Sequence, residues 1–514
     1  MQLLPNCGYP RPLRTRRGRG TFSGALPAAH AQQPAPTTTA PELLKAWVEQ
    51  HSIGTLHSNL SIKARPAGGL GMFTEDPVQR GQVLVRVPHR LMMTAESACQ
   101  DREYGPLLAG GAATEWQALV LHLLCERARG SASFWAPYLA LLPDQADHPL
   151  AWGASRLSWL AGSPLQATLV ARQQQVAEDC EALSLLGANQ LPLAAAWRAW
   201  PGSGGEDLVS VGSVTWAAAS LLSRAFSLDM APDEALEGDM SSFGSWQPPA
   251  PDVLALVPWA DSLSHASQAG PESCLRYCCD LQAASLSAHT AYQAGEEVFD
   301  SYGPGLSPSD LLLDFGFVDP DNRNHRVDVD VTQIVAPRSG RARSLLGALG
   351  AVQGGTCRLV LGEAGPDLPS LAYLRAALAS DADLVRAGWR LRATEADTEL
   401  ACRVMGSLGQ PSLRTTEQAV LQALAGWLAQ AAAAYPSTLE EDLAELQRPE
   451  TAWLRRQVLL ALSSEKKALR GSAAAVGEWL EQLDAGVSLD LLYPDAYEDG
   501  LEEEDGDEQG SVAG

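Results

Sequence analysis

The 514-residue sequence predicts an α+β chain: two β-rich blocks separated by a helical insertion, followed by an all-α C-terminal domain. Three observations lead there. Short β-prone runs flanked by turn residues occur at Leu60–Arg65 and Val83–Val87 and return from Val253 onward. Between them apolar residues keep helical spacing, as in Trp116, Leu119, Val120, Leu123 and Leu124. After about Leu345 the chain is alanine-rich and amphipathic, the pattern of an antiparallel helical domain. At about 150 residues per domain the length leaves room for roughly three units.

Taken in order, Glu42–Gln50 reads as a helix with Leu43, Leu44 and Trp47 on one face and Pro41 near its start. The Gly68-Gly69-Leu70-Gly71 stretch reads as the turn between the first two strands. A helix runs from Glu115 through Glu126, and helical segments continue to about Leu193, where Gly202–Gly205 interrupts the pattern. A further helix, Ser213–Phe226, ends before a Pro/Gly/Ser-rich loop at Ala231–Pro251. Strands follow around Val253–Val257, Tyr277–Leu281 and Val298–Ser301. The C-terminal helices are expected at Leu371–Leu378, Glu417–Ala434 and Leu439–Leu483, with Ser437 and Glu440 as a capping pair.

Charge and composition exclude several functions. With 37 basic and 61 acidic residues the formal charge is -24, which opposes nucleic-acid binding through the general field. The chain is 46% hydrophobic and 19% charged, so it has a globular composition. Nine scattered cysteines do not form the framework of a small secreted domain. Residues 1–41 carry Arg11, Arg14, Arg16, Arg17 and Arg19 without an acid, which suits a transit peptide or a disordered tail. Glu498–Glu508 is dense in carboxylates and is expected to stay solvated. Gln418–Leu439 is uncharged throughout but is too weakly apolar for a membrane span. None of the four lysines follows a glycine, so there is no Walker A loop, and no HExxH occurs. Cys274, Cys278, Cys279 and His265 could be drawn as a zinc site, but adjacent cysteines in a strand point to opposite faces. Free thiols are the better reading.

The chemistry lies in an ordered set of motifs. Val257-Pro258-Trp259-Ala260-Asp261-Ser262-Leu263-Ser264-His265 is followed by Gly295-Glu296-Glu297-Val298-Phe299-Asp300-Ser301-Tyr302-Gly303 and then by Leu312-Leu313-Asp314-Phe315-Gly316-Phe317. With Gly69-Leu70-Gly71, the Phe134–Pro143 stretch, Ser223-Arg224-Ala225-Phe226 and the Tyr435–Asp442 segment, this order resembles the SET-domain protein methyltransferases of the Rubisco large-subunit lysine methyltransferase type.

The resemblance implies a β-rich SET fold over residues 42–335, split by a helical insertion at about 95–212. A helical substrate-binding domain would cover 336–495, leaving tails at 1–41 and 496–514. It implies a protein-lysine N-methyltransferase that uses S-adenosyl-L-methionine, no metal, and a protein substrate such as Rubisco large subunit or another stromal protein. No nucleic-acid or membrane partner is expected. The location expected is the chloroplast stroma, with the mitochondrion and the cytosol as alternatives. By position, Gly68, Gly69 and Leu70 would hold the cofactor through backbone groups, Arg224 would meet its carboxylate, and Ser264 and His265 would grip it. Tyr302 would be the catalytic tyrosine. Leu228, Asp261, Tyr277 and Phe315, with Arg224 and Tyr302, would border the substrate.

The chain departs from the family pattern at Ser264, usually asparagine, at Phe315, often tyrosine, at Pro308, usually asparagine, and at Gly68, where an acid can occur. If serine is a shortened asparagine, Ser264→Asn should tighten cofactor binding; if the pocket is remodelled, it should not. Two alternatives accompany the lysine reading: a SET scaffold that binds without efficient transfer, and a methyltransferase acting on protein histidine.

Overall fold

A computed structural model describes residues 39–51, 60–65, 68–145, 147–199, 203–230, 252–269, 275–303, 305–352, 357–389, 404 and 414–493. The arginine-rich start, the Ala231–Pro251 loop and the acidic tail expected from the sequence lie outside the described residues, as does Cys274. Two compact units emerge. One contains the chain up to Asn324 together with Arg448–Ala461; the other contains His325–Gln447 and the chain from Leu462.

In the first unit the helix Ala40–His51 buries Leu44, Trp47 and Val48. Strands β1 (Leu60–Ala64) and β2 (Leu70–Thr74) pair antiparallel, Ala64 opposite Leu70. The turn is therefore tighter than the sequence suggests, because Leu70 and Gly71 already belong to a strand. Gly68 and Gly69 both adopt positive φ, of 94° and 77°, which glycine alone takes without steric cost. Strand β3 (Val83–Pro88) and β4 (Met93–Thr94) lead into the helical insertion.

The insertion is built on Glu115–Arg129, whose Thr114 and Gln117 form a capping box, and on Pro164–Leu185, which starts with proline behind Ser163. It ends with Pro192–Ala199. The next helix, Val211–Arg224, opens on a Ser210/Ser213 capping box and buries Trp216, Ala217, Ala218, Leu221 and Leu222. It stops at Arg224. Ala225 and Phe226, expected in the helix, instead begin strand β5 (Ala225–Leu228).

Strand β6 (Val253–Leu256) lies between β4 and β5. After it come β7 (Ser264–His265), β8 (Arg276–Cys278), β9 (Ala283–Ser287) and β10 (Phe299–Asp300). β9 is central to the sheet β3-β9-β8, and β10 pairs parallel with β7, placing Phe299 opposite Ser264 and Asp300 opposite His265. Parallel neighbours need a long connection. Here that connection brings two distant motifs side by side.

The second unit is helical, with Leu371–Leu378, Arg414–Ala434 and Leu439–Leu446 among its helices. The helix Trp453–Asp484 contributes its residues from Leu462 onward to this unit. The expectation of an all-α domain omits a three-stranded sheet, β11 (Arg326–Asp330), β12 (Arg358–Gly362) and β13 (Gly365–Pro366). Val327, Val329, Leu359 and Leu361 supply its buried face, and the intervening charges conceal the strands in sequence. Arg375 and Glu417 form a buried ion pair at 2.8 Å. The N-cap before Leu439 is Thr438, paired with Glu441; Ser437, expected there, donates its hydroxyl to Asp442. Among the described residues no helix is long and apolar enough to cross a membrane.

Candidate active site

The β7–β10 pair positions the centre of the site. His265 Nδ1 accepts a hydrogen bond from the Tyr302 backbone N–H at 3.1 Å, so its proton sits on Nε2, which reaches the Ser267 hydroxyl at 3.1 Å. Burial lowers the imidazole to about 4, so His265 is neutral at physiological pH. The Tyr302 hydroxyl donates to the Leu263 carbonyl at 2.7 Å. Burial, followed by the nearby Asp300 carboxyl, raises the phenol above its ordinary value and keeps it protonated.

Two further rings close on Tyr302. The helix Pro308–Phe315 begins with proline at its first position, behind a Ser307/Asp310 capping box. Pro308 therefore starts a helix well. That helix ends at Gly316, whose φ of 77° is the left-handed C-terminal cap that favours glycine. Phe315 and Phe317 flank this cap, with ring centroids 4.7 Å and 6.3 Å from that of Tyr302. His265 lies 5.2 Å away on the same measure. Sequence reasoning does not single out Phe317.

Arg224 is delivered by the end of its helix, where a cation also suits the helix dipole. Its Nη1 lies 3.3 Å from both Asp261 Oδ2 and the Asp261 carbonyl. The Tyr138 hydroxyl donates to Asp261 Oδ2 at 2.8 Å. Asp261 reaches this position through Trp259, a buried non-glycine residue at φ 77° and ψ -51°. Such backbone costs on the order of 1–3 kcal/mol and persists only where surrounding packing enforces it. Burial pushes the Asp261 carboxyl above its ordinary range against the pull of Arg224. Leu228 is buried at the end of β5.

Ser264 is fully engaged. Its hydroxyl accepts from Arg65 Nη1 at 2.8 Å and donates to Glu297 Oε1 at 2.6 Å. Gly71 underlies the two charged side chains: a Cβ there would lie 2.3 Å from Glu297 Oε1 and 2.8 Å from Arg65 Cδ. At Gly68 and Gly69, by contrast, a Cβ would meet nothing within 4 Å, so the turn faces open space.

Tyr277 stands apart. It lies on β8, and its hydroxyl meets His89 Nδ1 at 3.1 Å. Among the described residues no hydrogen bond or ring contact joins it to the Tyr302 cluster. Sequence reasoning also passes over Arg65, Glu297, Tyr138 and Asp300, although all but Arg65 fall inside the motifs named above. Among the described residues no metal-holding group of histidine, cysteine and carboxylate exists. A groove of about 670 Å³ between the insertion and the Val211–Arg224 helix, lined by Trp152, Trp197 and Trp216, includes none of these site residues.

The arrangement offers a neutral phenol on a carbonyl, an aromatic wall, a guanidinium held by a buried carboxyl, and an open glycine turn. Comparisons with known proteins agree with this architecture. Residues 343–469 match the family described as Rubisco LSMT substrate-binding. The Rubisco large subunit N-methyltransferase of Pisum sativum is 26% identical over 62% of this chain and 62% of its own length. The fructose-bisphosphate aldolase-lysine N-methyltransferase of Arabidopsis thaliana is 25% identical over 73% of this chain and 70% of its own. The actin-histidine N-methyltransferase of Drosophila melanogaster is 26% identical over 58% and 53%. A structure of Rubisco LSMT bound to AdoMet superposes with a TM-score of 0.64 at 22% identity, covering 87% of this chain and 94% of that one, which establishes the fold. In fold, in C-terminal domain and in sequence, the chain resembles the SET-domain protein methyltransferases of the Rubisco large-subunit type.

Proposed function

We propose that this chain is an S-adenosylmethionine-dependent protein methyltransferase, with lysine as the acceptor residue. The observation that carries the proposal is the Tyr302 phenol, hydrogen-bonded to the Leu263 carbonyl and walled by His265, Phe315 and Phe317. The donor set suits this cofactor: Arg224 offers a cation for a carboxylate, and the Gly68–Leu70 turn offers backbone groups with open space above them. Bound S-adenosylmethionine would supply an electrophilic methyl carbon on its sulfonium, which passes to the acceptor nitrogen and leaves a neutral thioether.

The chain's own residues supply position and desolvation. An apolar wall of Phe315 and Phe317 disfavours a charged ammonium and so favours the neutral amine that can accept a methyl group. The Tyr302 phenol donates its hydrogen bond to the Leu263 carbonyl and keeps its oxygen lone pairs for the acceptor's N–H. His265, neutral and fixed by its two hydrogen bonds, holds the Tyr302 backbone in place. Asp261 holds Arg224.

The proposed substrate is a protein, and the proposed location is the plastid stroma. The chloroplast proteins among the relatives support both. Full-length protein incubated with labelled S-adenosylmethionine and purified Rubisco, aldolase or actin tests the reading, with mass spectrometry of the modified residue. Methylated lysine is the expected result. Methylated histidine would support the second acceptor, which the actin-histidine relative favours at an identity equal to the pea enzyme's. Cofactor binding without label on any protein would favour a scaffold.

The hydrogen bonds of Ser264 support the account in which the pocket is remodelled around serine. A hydroxyl already used as donor and acceptor within the protein is no shortened asparagine waiting for a ligand. Asparagine would displace Arg65 or Glu297. Losing one or two hydrogen bonds of about 0.5–1.5 kcal/mol each, Ser264→Asn is expected to weaken S-adenosylmethionine binding by about tenfold. Calorimetric titration of both proteins checks this, and tighter binding by the variant would restore the shortened-asparagine account.

A further inference from the structure

We propose that Arg65 and Glu297 form an ionic subsite for the amino-acid end of the cofactor, with Ser264 as the strut between them. This rests on the reading of the chain as an S-adenosylmethionine-dependent enzyme. Glu297 accepts from the α-ammonium, and Arg65 joins Arg224 on the carboxylate.

The geometry points there in four ways. First, the two side chains are opposite charges held 3.6 Å apart, the arrangement that complements a zwitterion whose own charges flank one carbon. Second, they are incompletely used. Ser264 engages Arg65 Nη1 and Glu297 Oε1, while Arg65 Nη2 and Nε and Glu297 Oε2 carry no hydrogen bond among the described residues. An ordinary surface ion pair is loosely held, but this one is fixed by a buried serine and seated over a glycine with no room for a Cβ. Third, the pair is neither sealed nor fully solvated: the side chains are 34% and 18% exposed. Partial desolvation strengthens their hold on a charged ligand while leaving access to it. Fourth, Arg65 follows β1 and closes the turn that contains Gly68 and Gly69, donating its backbone N–H to the Gly69 carbonyl at 3.0 Å. Its charge also acts on the Tyr302 phenol, as does that of Arg224. Both guanidinium groups therefore belong to the neighbourhood of Tyr302.

The strut explains why serine suits position 264. A single hydroxyl can accept a hydrogen bond from Arg65 and donate one to Glu297 at the same oxygen, keeping the two charges close without quenching either.

Two nucleosides test the subsite in the full-length chain: S-adenosylhomocysteine, which has the amino-acid end, and 5′-methylthioadenosine, which lacks it. In calorimetric titrations Arg65→Gln and Glu297→Gln should each lose about tenfold in affinity for S-adenosylhomocysteine and keep the wild-type affinity for 5′-methylthioadenosine. Arg65→Lys, which keeps the charge, should recover part of the loss. Retained binding of 5′-methylthioadenosine also reports that each variant folds. Unchanged S-adenosylhomocysteine affinity in both glutamine variants, or equal losses for both nucleosides, would overturn the subsite while leaving the cofactor reading intact. Binding of neither nucleoside by the wild-type chain would overturn the cofactor reading itself, and the subsite with it.

Discussion

Tyr302→Phe is expected to slow methyl transfer by about 10²–10³-fold, the range found when one positioned hydrogen-bonding group is removed from an active site. The ring should stay in place. Its contacts with His265 and Phe315 involve the aromatic face, which phenylalanine retains. What disappears is the oxygen that donates to the Leu263 carbonyl and that, in the proposed reaction, would face the acceptor nitrogen. The variant carries a stability cost as well, because the buried Leu263 carbonyl loses its donor, an effect of about 1–3 kcal/mol. Single-turnover kinetics separate the two consequences: chemistry should fall while cofactor affinity changes little, and thermal melting reports the structural loss. A variant with an unchanged rate would remove Tyr302 from the mechanism.

Much of this site is legible in the sequence because its motifs are contiguous. Trp259-Ala260-Asp261 and Phe299-Asp300-Ser301-Tyr302 each carry their chemistry within a few residues, and their order suggests the fold before any coordinates. The Phe315-Gly316-Phe317 run is also visible, but that both rings meet Tyr302 depends on the left-handed cap at Gly316, which spacing alone does not show.

The Arg65–Ser264–Glu297 network is hidden for a different reason. Arg65 and Ser264 are 199 residues apart, and only the packing of the β1–β2 hairpin beside β7 and β10 brings the three together. Pairing between strands of two residues, as in β7 and β10, carries almost no periodicity to detect. The sheet of the second unit escapes detection because Arg326-Val327-Asp328-Val329-Asp330 reads as a charged segment, although its alternation is that of a half-buried strand. Tyr277, expected to border the substrate, lies on β8 with its hydroxyl 3.1 Å from His89 Nδ1.

Burial is what a sequence conceals best, and Asp300 is the sharpest case. Two residues before Tyr302, its carboxyl is 1% exposed, and neither oxygen forms a complete hydrogen bond among the described residues. Burial raises it from the ordinary 3.8 to about 7. The sign of the consequence follows from proton binding. Between these two values the folded chain holds a proton that the unfolded chain has released, so stability falls as pH rises through that window. The contribution is fully present below about 3.8 and fully lost above about 7, a span of about 4 kcal/mol. Replacing the carboxyl by a carboxamide barely changes its shape, so Asp300→Asn probes ionisation alone. The variant should match the wild type at the acid end and become progressively more stable than it as pH rises. Urea unfolding at about pH 5.5 and at about pH 8 should show the gap widening by about 2 kcal/mol or more, with little further change above neutrality. Parallel stability curves for the two proteins would show that Asp300 keeps no proton beyond the ordinary carboxyl range, and that polar groups reach it in solution.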